Sequence, residues 1–296
     1  MRLVILDDYD KASLWAAKYI MNAINGFKPS QTKSNFVLGL PTGSSPLGTY
    51  KYLIQFFKEG MVSFKNVITF NMDEYVGLPR DHCQSYHTYM WDNFFKHIDI
   101  NPANVHIPDG NAPDLIVECN NYEKAIDQAG GIDLFLGGIG TDGHIAFNEP
   151  GSSLASKTRL KSLAADTIAS NARFFEGDIQ KVPKMAITVG VKTVMSANEV
   201  VTRLTGFNEN SFKNATAVMI IICGGHKSFA LHMAIEEGVS HMWTVSAFQQ
   251  HPRCTFVVDE DATLELKVKT VKYFKGLMEV HNKLVEPRVP SSFTAP

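Results

Sequence analysis

Ile132-Asp-Leu-Phe-Leu-Gly-Gly-Ile-Gly-Thr-Asp-Gly-His-Ile-Ala-Phe-Asn-Glu-Pro150 decides how this chain is read. The apolar run Ile132–Leu136 reads as a buried strand, so the glycines after it fall where a strand turns and a ligand can approach the backbone. Asp142, His144 and Glu149 follow in quick succession. A histidine exchanges protons near neutral pH, and carboxylates close by set its tautomer and orientation. A glycine-rich turn with a few polar residues is the plain alternative. Asp-x-His with a later Glu also offers metal ligands, but a metal site takes three or four, and no second His/Cys cluster stands at ligand spacing. The reading is therefore an acid/base device on a glycine platform, without a metal.

Outward from this stretch, short apolar runs alternate with segments of helical periodicity. Strands are expected at Arg2–Ile5, Phe36–Leu40, Asn66–Phe70, Ile132–Leu136, Met185–Val189, Ala217–Cys223 and Thr255–Val258. Helices are expected near Asp10–Asn25, Pro46–Lys58, Ser85–His97, Asp114–Ala129, Lys227–Glu237 and Ala262–Met278, with Trp15, Ile20, Ile24, Phe94 and Phe95 facing the core. The alternation predicts an α/β fold, an open, mostly parallel, doubly wound (Rossmann-like) sheet with helices on both faces. No repeat or long Pro/Gly-rich linker divides the chain, so residues 1–296 are read as a single domain, with a polar, lid-like stretch at about 162–184.

Composition bounds the partners. With 28 Lys and Arg against 30 Asp and Glu, the formal net charge is -2, which leaves no general basic field for nucleic acid or an anionic membrane. The opening Met1–Leu6 meets Asp7 and Asp8 too soon for a signal-peptide core, and no apolar run approaches a membrane span. A cytoplasmic protein is expected. The four cysteines are widely spaced with no Cys-x-x-Cys pair and read as reduced thiols. Asn214-Ala-Thr216 matches a glycosylation sequon that such a protein would not use.

In open α/β sheets ligands collect beyond the carboxyl ends of the strands. Four loops meet that condition. Thr42-Gly-Ser-Ser45 stands between a strand and a helix whose first residue is read as Pro46, where free amides, hydroxyls and the helix dipole suit a phosphate. It lacks the Gly-Lys-Ser/Thr and Gly-x-Gly-x-x-Gly of nucleotide loops, so a small phosphorylated metabolite fits better. Lys227, in Gly224-Gly-His-Lys, reaches for the same anion, while His226 supports the turn. Asp73 and Glu74 form a carboxylate pair in which either is a candidate general base. Arg173, inside the lid stretch, is placed to close on a phosphate.

Four motifs taken in order carry more: Leu40-Pro-Thr-Gly-Ser-Ser-Pro46, Phe70-Asn-Met-Asp-Glu-Tyr-Val-Gly-Leu78, Gly138-Ile-Gly-Thr-Asp-Gly-His-Ile-Ala-Phe-Asn-Glu-Pro150 and Trp243-Thr-Val-Ser-Ala-Phe-Gln-Gln-His-Pro252. With them the chain resembles the glucosamine-6-phosphate deaminases, in their animal form, over almost its whole length. The resemblance implies conversion of glucosamine 6-phosphate and water to fructose 6-phosphate and ammonia without metal or organic cofactor. It implies that His144 opens the sugar ring, with Asp142 and Glu149 orienting it, and that Asp73 removes the C2 proton. Thr42, Gly43, Ser44, Ser45, Arg173 and Lys227 match the phosphate-binding positions. Bacterial members of the family are hexamers activated by N-acetylglucosamine 6-phosphate. Ser152, Arg159, Lys161 and Tyr273 match that effector site, so a homohexamer with this effector is implied.

Two rivals are a 6-phosphogluconolactonase-like hydrolase, whose sequence after the histidine differs, and a non-catalytic sugar-phosphate sensor, which would lack the acid/base residues. The chain departs from the family pattern around Val201–Val218, where Glu199–Gly206 and Ala217–Gly224 compete for one strand position. The second segment is uniformly apolar, whereas the first would bury Arg203. Ala217–Cys223 is therefore expected in the central sheet, and Val201–Thr216 outside it.

Overall fold

The computed structural model describes residues 1–31, 33–196 and 217–286. In chain order the first half holds β1 (Arg2–Leu6), α1 (Tyr9–Gly26), β2 (Phe36–Leu40), α2 (Leu47–Lys58), β3 (Val67–Asn71), β4 (Asp73–Tyr75), α3 (Tyr86–Asn93), β5 (Val105–His106), α4 (Leu115–Gln128) and β6 (Leu134–Gly138). The second half holds β7 (Arg159–Ser162), α5 (Ala165–Asn171), β8 (Met185–Thr188), α6 (Val191–Met195), β9 (Ala217–Ile222), α7 (Ser228–Ile235), β10 (Cys254–Asp259), α8 (Val268–Lys275) and α9 (Met278–Asn282).

Seven strands form one sheet in the order β1-β10-β9-β6-β2-β3-β5, and every pairing in it is parallel. Such a sheet is covered on both faces, and its strands divide their side chains with the period of two that a pleat imposes. Leu3, Ile5, Val218, Ile220, Ile222, Phe256 and Val258 pack with Tyr122 and Ile126 of α4 and Leu231 of α7. Val4, Leu38, Leu40, Met219, Ile221 and Val257 pack on the other side with Trp15 and Ile20 of α1, Tyr50 and Leu53 of α2 and Met90 of α3. Burying each large side chain contributes about 1.5–3 kcal/mol, so the two layers fix the register strongly. Helix starts are set locally: Asp8, Ser85 and Asp114 cap α1, α3 and α4 by accepting amides of Lys11, Thr88, and Ile116 with Val117.

From β2 the chain moves outward to β3 and β5, and from β6 it moves the opposite way to β9 and β10. The direction of winding therefore reverses between β2 and β6, and the crevice beyond their carboxyl ends is the ligand position of such sheets.

A second sheet, β4-β8-β7, is antiparallel. Met72 joins the two sheets, since its amide donates to the Leu40 carbonyl at 3.1 Å and its carbonyl accepts the Val189 amide at 2.8 Å. Asp73 thus begins a strand at the seam. Tyr75, Phe147, Leu163, Ala172, Phe175, Val182 and Ala186 form a small separate core under residues 162–184.

Several sequence expectations change. Met185–Val189 lies in this second sheet rather than the parallel one, because an apolar run encodes burial but not its partner. Pro46 is the residue before α2 rather than its first. The helix expected over Ala262–Met278 is broken: Asp259 accepts the Ala262 amide, while Glu236 accepts the Lys267 amide and the Thr270 hydroxyl, so helical structure restarts at Val268. β9 lies between β10 and β6, the central place expected for Ala217–Cys223. The segments Glu199–Gly206 and Val201–Thr216, with Asn214, lie outside the described residues.

Candidate active site

The loop after β6 brings His144 against Asp142. His144 Nδ1 lies 2.6 Å from Asp142 Oδ1, and the same oxygen accepts the His144 backbone amide at 3.3 Å. Burial pushes the Asp142 carboxyl up, but its hydrogen bond and charge interaction with His144 outweigh this and hold it below the ordinary value. Glycines make the geometry available. A Cβ on Gly140 would lie 2.2 Å from His144 Cε1 and 2.6 Å from Asp142 Oδ1. Gly143 has φ +73°, and a Cβ there would meet Trp243 at 2.5 Å. The turn is tied to the Trp243 motif: Val245 N donates to Gly143 O at 3.1 Å, and the Thr244 hydroxyl donates to Asn148 O at 2.8 Å.

Glu149 is buried on the same segment, and its Oε1 accepts the Ala164 amide at 2.8 Å, at the start of α5. Among the described residues it makes no hydrogen bond or ion pair with His144. The fold thus joins Asp142 to His144 and ties Glu149 to the residue before α5.

Asp73 and Glu74 separate clearly. Glu74 accepts the amides of Tyr75, Tyr86 and His87 at 2.8, 3.0 and 2.9 Å, anchoring the first turn of α3. Its pKa is raised by burial, with those amides working against the rise. Asp73 is buried, and among the described residues no hydrogen bond holds its carboxylate. Burial, with Glu74 beside it, pushes its pKa up to about 8. Of the pair, Asp73 is the uncommitted carboxylate and a strong base once deprotonated.

Lys227, at the turn before α7, donates from Nζ to Ser45 Oγ at 2.9 Å and so joins the loops after β9 and β2. Burial lowers its pKa; Cys223 and Asp259 nearby raise it, and the positive charge of Arg173 lowers it further. Lys227 and Arg173 therefore feel each other across the same rim, a cationic pair that an anion would relieve. Asp259 fixes the turn from β10 by accepting the Gly224 amide on both carboxylate oxygens, at 3.0 and 2.9 Å. Arg173 is exposed, its guanidinium 4.7 Å from the Phe174 ring centroid. Residues 162–184 are docked by Asn171 Nδ2, which donates to the Tyr75 hydroxyl at 2.9 Å.

The positions matched to an effector site divide. Arg159 and Lys161 alternate along β7 and so share a face, and Ser152 is buried with a hydroxyl that has no partner among the described residues. Arg159 Nη1 donates to Asn148 Oδ1 at 2.8 Å. Tyr273 is 64% exposed on α8, an element that packs against β1 at the far edge of the sheet, so one chain does not bring it to β7. No three His, Cys, Asp or Glu side chains gather as metal ligands among the described residues.

Sequence reasoning missed Asn148, Asp259 and three tyrosines, Tyr9, Tyr50 and Tyr89, whose hydroxyls reach the loop after β2. Only Asn148 lay inside a quoted motif. The others act over distances in the chain that no local pattern records.

A histidine–carboxylate contact, a buried carboxylate with no hydrogen bond among the described residues and an amide-rich loop joined by a lysine from another strand end lie beyond the carboxyl ends of a doubly wound sheet, where α/β proteins of this architecture take small ligands. The model of the glucosamine-6-phosphate isomerases/6-phosphogluconolactonase family matches residues 7–211, and the chain belongs to that family. It is 68% identical over 287 residues to human glucosamine-6-phosphate deaminase 2, covering 97% of each chain. It is 66% identical to human glucosamine-6-phosphate deaminase 1, covering 97% of this chain and 93% of the human one. Among solved structures, a monomeric glucosamine-6-phosphate deaminase superposes with a TM-score of 0.77 at 37% identity, covering 88% of this chain and 98% of that one.

Proposed function

We propose that this chain is a glucosamine-6-phosphate deaminase, converting glucosamine 6-phosphate and water to fructose 6-phosphate and ammonia. The observation that carries the reading is the uncommitted, raised-pKa Asp73 on the same rim as the Asp142–His144 pair and the Ser45–Lys227 contact. The phosphate is held by Thr42, Gly43, Ser44, Ser45 and Lys227, and Arg173 closes on it from the lid stretch. His144 moves a proton from the anomeric hydroxyl to the ring oxygen, opening the pyranose. Asp73 then takes the C2 proton, leaving an enol-type intermediate. Return of a proton to C1 makes a C2 imine, and water adds there to release ammonia and leave the ketone. Glu149 supports this by tying the catalytic turn to the lid.

The same reading extends to regulation. N-acetylglucosamine 6-phosphate is the effector, held by Ser152, Arg159 and Lys161, and Tyr273 completes the site only from a neighbouring subunit of a homohexamer. The protein works in the cytoplasm as one domain, with a lid at about 162–184. Ammonia release from glucosamine 6-phosphate is the test. No release, with hydrolysis of a 6-phosphosugar lactone instead, would move the chain to the other activity its family name records.

A further inference from the structure

The loop that follows β2 is held by three tyrosine hydroxyls, each from a different helix. Tyr50 of α2 donates to Pro41 O, Tyr89 of α3 donates to Gly43 O at 2.6 Å, and Tyr9 of α1 donates to Ser44 O at 3.0 Å. The Tyr9 hydroxyl also accepts the Gly48 amide at 2.8 Å, so it closes the loop against the first turn of α2. The amides of Thr42, Gly43, Ser44 and Ser45 have no acceptor among the described residues. Gly43 adopts φ +96°, the conformation that lets successive amides converge, and a Cβ there would meet nothing within 4 Å.

Peptide geometry connects these facts. In a trans peptide the carbonyl oxygen of one residue and the amide hydrogen of the next point to opposite sides of the chain. Fixing the oxygens of Pro41, Gly43 and Ser44 on tyrosine hydroxyls therefore fixes the hydrogens of Thr42, Ser44 and Ser45 on the side away from each tyrosine. It also keeps three carbonyl oxygens, which would repel an anion, from turning toward it. Left alone, a loop of this composition would sample many peptide orientations and lose entropy on binding.

We propose that Tyr9, Tyr50 and Tyr89 are positioning residues that preset the loop's amides as a phosphate receptor, with no tyrosine touching the substrate. The inference rests on the phosphate-loop assignment above and goes beyond it by naming the groups that make the loop receptive. Tyr9 and Tyr89 carry the test, because they lie toward the surface and a Phe in either place keeps the ring and loses only the hydroxyl.

Tyr9→Phe, Tyr89→Phe and the double variant of the full chain are compared with wild type in three measurements: calorimetric binding of inorganic phosphate, KM and kcat for glucosamine 6-phosphate, and melting temperature. Each single variant is expected to weaken phosphate binding and raise KM about 3- to 10-fold, as loss of one neutral hydrogen bond allows, and the double variant more, with kcat nearly constant. Unchanged phosphate affinity in the double variant overturns the proposal, as does a fall in kcat at constant KM. If the double variant melts too low to assay, Tyr89→Phe alone decides by the same readouts. Wild-type protein that binds phosphate more tightly than the tyrosine variants yet releases no ammonia would keep the receptor and sink the deaminase reading, whereas wild-type protein that binds no phosphate sinks both.

Discussion

Lys227 Nζ and Ser45 Oγ are 2.9 Å apart although 182 residues separate them in the chain. Their strands β9 and β2 are not neighbours; β6 runs between them, and the contact bridges over its carboxyl end. A Cβ built on Gly138, at the end of β6, would stand in ordinary contact with Ser45 Cβ at 3.5 Å, so the bridge packs closely over that strand end. Lys227 is therefore a half-buried cation held by a hydroxyl and facing a second cation, Arg173, the arrangement on which the proposed phosphate site rests.

Replacing Lys227 with Met keeps the length of the stem and removes the charge. Loss of a charge-assisted hydrogen bond of about 1.5–3 kcal/mol predicts a KM for glucosamine 6-phosphate higher by about 10- to 100-fold, with a smaller effect on kcat. Stability should not fall. Because burial lowers the lysine's pKa, its protonated form costs folding free energy, and wild-type stability should rise as pH climbs from the lowered folded value toward 10.5. The Lys227→Met protein should lack that rise. Steady-state kinetics and pH-dependent melts check both statements; a Lys227→Met enzyme with unchanged KM would remove this residue from the phosphate site.

Asp73→Asn keeps shape and burial but cannot take the C2 proton, so turnover should fall about 10²- to 10⁴-fold while phosphate binding persists. In wild type, kcat/KM should rise with pH through an acid limb near the carboxyl's pKa of about 8. The stability sign follows from the same shift. A carboxyl raised from 3.8 to about 8 favours folding fully below 3.8, and that contribution is lost as pH climbs through about 8. Asp73→Asn should therefore gain stability relative to wild type between those two pH values and hold the gain above them. Solvent exchange of the C2 proton at a normal rate in Asp73→Asn would move the base to another residue.

How much of this was legible beforehand depends on how locally it is encoded. The apolar runs of β2, β9 and β10 announce strands covered on both faces, and the uniform apolarity of Ala217–Ile222 earns it the central place over a rival that contains Arg203. Asp142 and His144 are two residues apart, so their pairing could be anticipated from the sequence. Strands β4 and β7, Asp-Glu-Tyr and Arg-Leu-Lys-Ser, carry no apolar alternation and exist because β8 pairs with both. Strand β5 is only two residues long. The choice between Asp73 and Glu74 was illegible for a similar reason, since what removes Glu74 from consideration is the first turn of α3, which begins 12 residues later.

Gly140→Ala tests the catalytic pair without touching a titratable group. Its Cβ would stand 2.2 Å from His144 Cε1 and 2.5 Å from His144 Nδ1, far inside contact distance, so the imidazole must move off Asp142. Turnover of the cyclic substrate should fall at least about 10-fold, a fraction of what positioned proton transfer supplies, while C2 exchange on an analogue supplied in open-chain form is less affected. Equal losses on both substrates, or none, would show that the His144–Asp142 contact does not govern ring opening.

The boundary of the departure at Val201–Val218 matters for any attempt to remove it. Ala217 and Val218 are the first residues of β9: Ala217 pairs with Leu134, and Val218 pairs with Phe135 on one side and Cys254 on the other. Val218 is fully buried, and Ala217 accounts for a bond from its amide to the Asp133 carbonyl at 2.9 Å. Deleting 201–218 would therefore take two residues from the middle of the sheet, shortening a strand that the turn to Lys227 follows directly. Deleting 201–216 leaves every one of these pairings intact. The expected result is that the shorter deletion folds with a KM near that of wild type, because loop length itself costs only about 0.6 kcal/mol per doubling. The longer one should lose several kcal/mol through the missing Val218 side chain and its ladder bonds. Melting temperatures and KM values of the two deletions, measured side by side, decide: equal loss of folding in both would place part of 201–216 in the core of the protein, and equal tolerance would mean that β9 can re-register without disturbing Lys227.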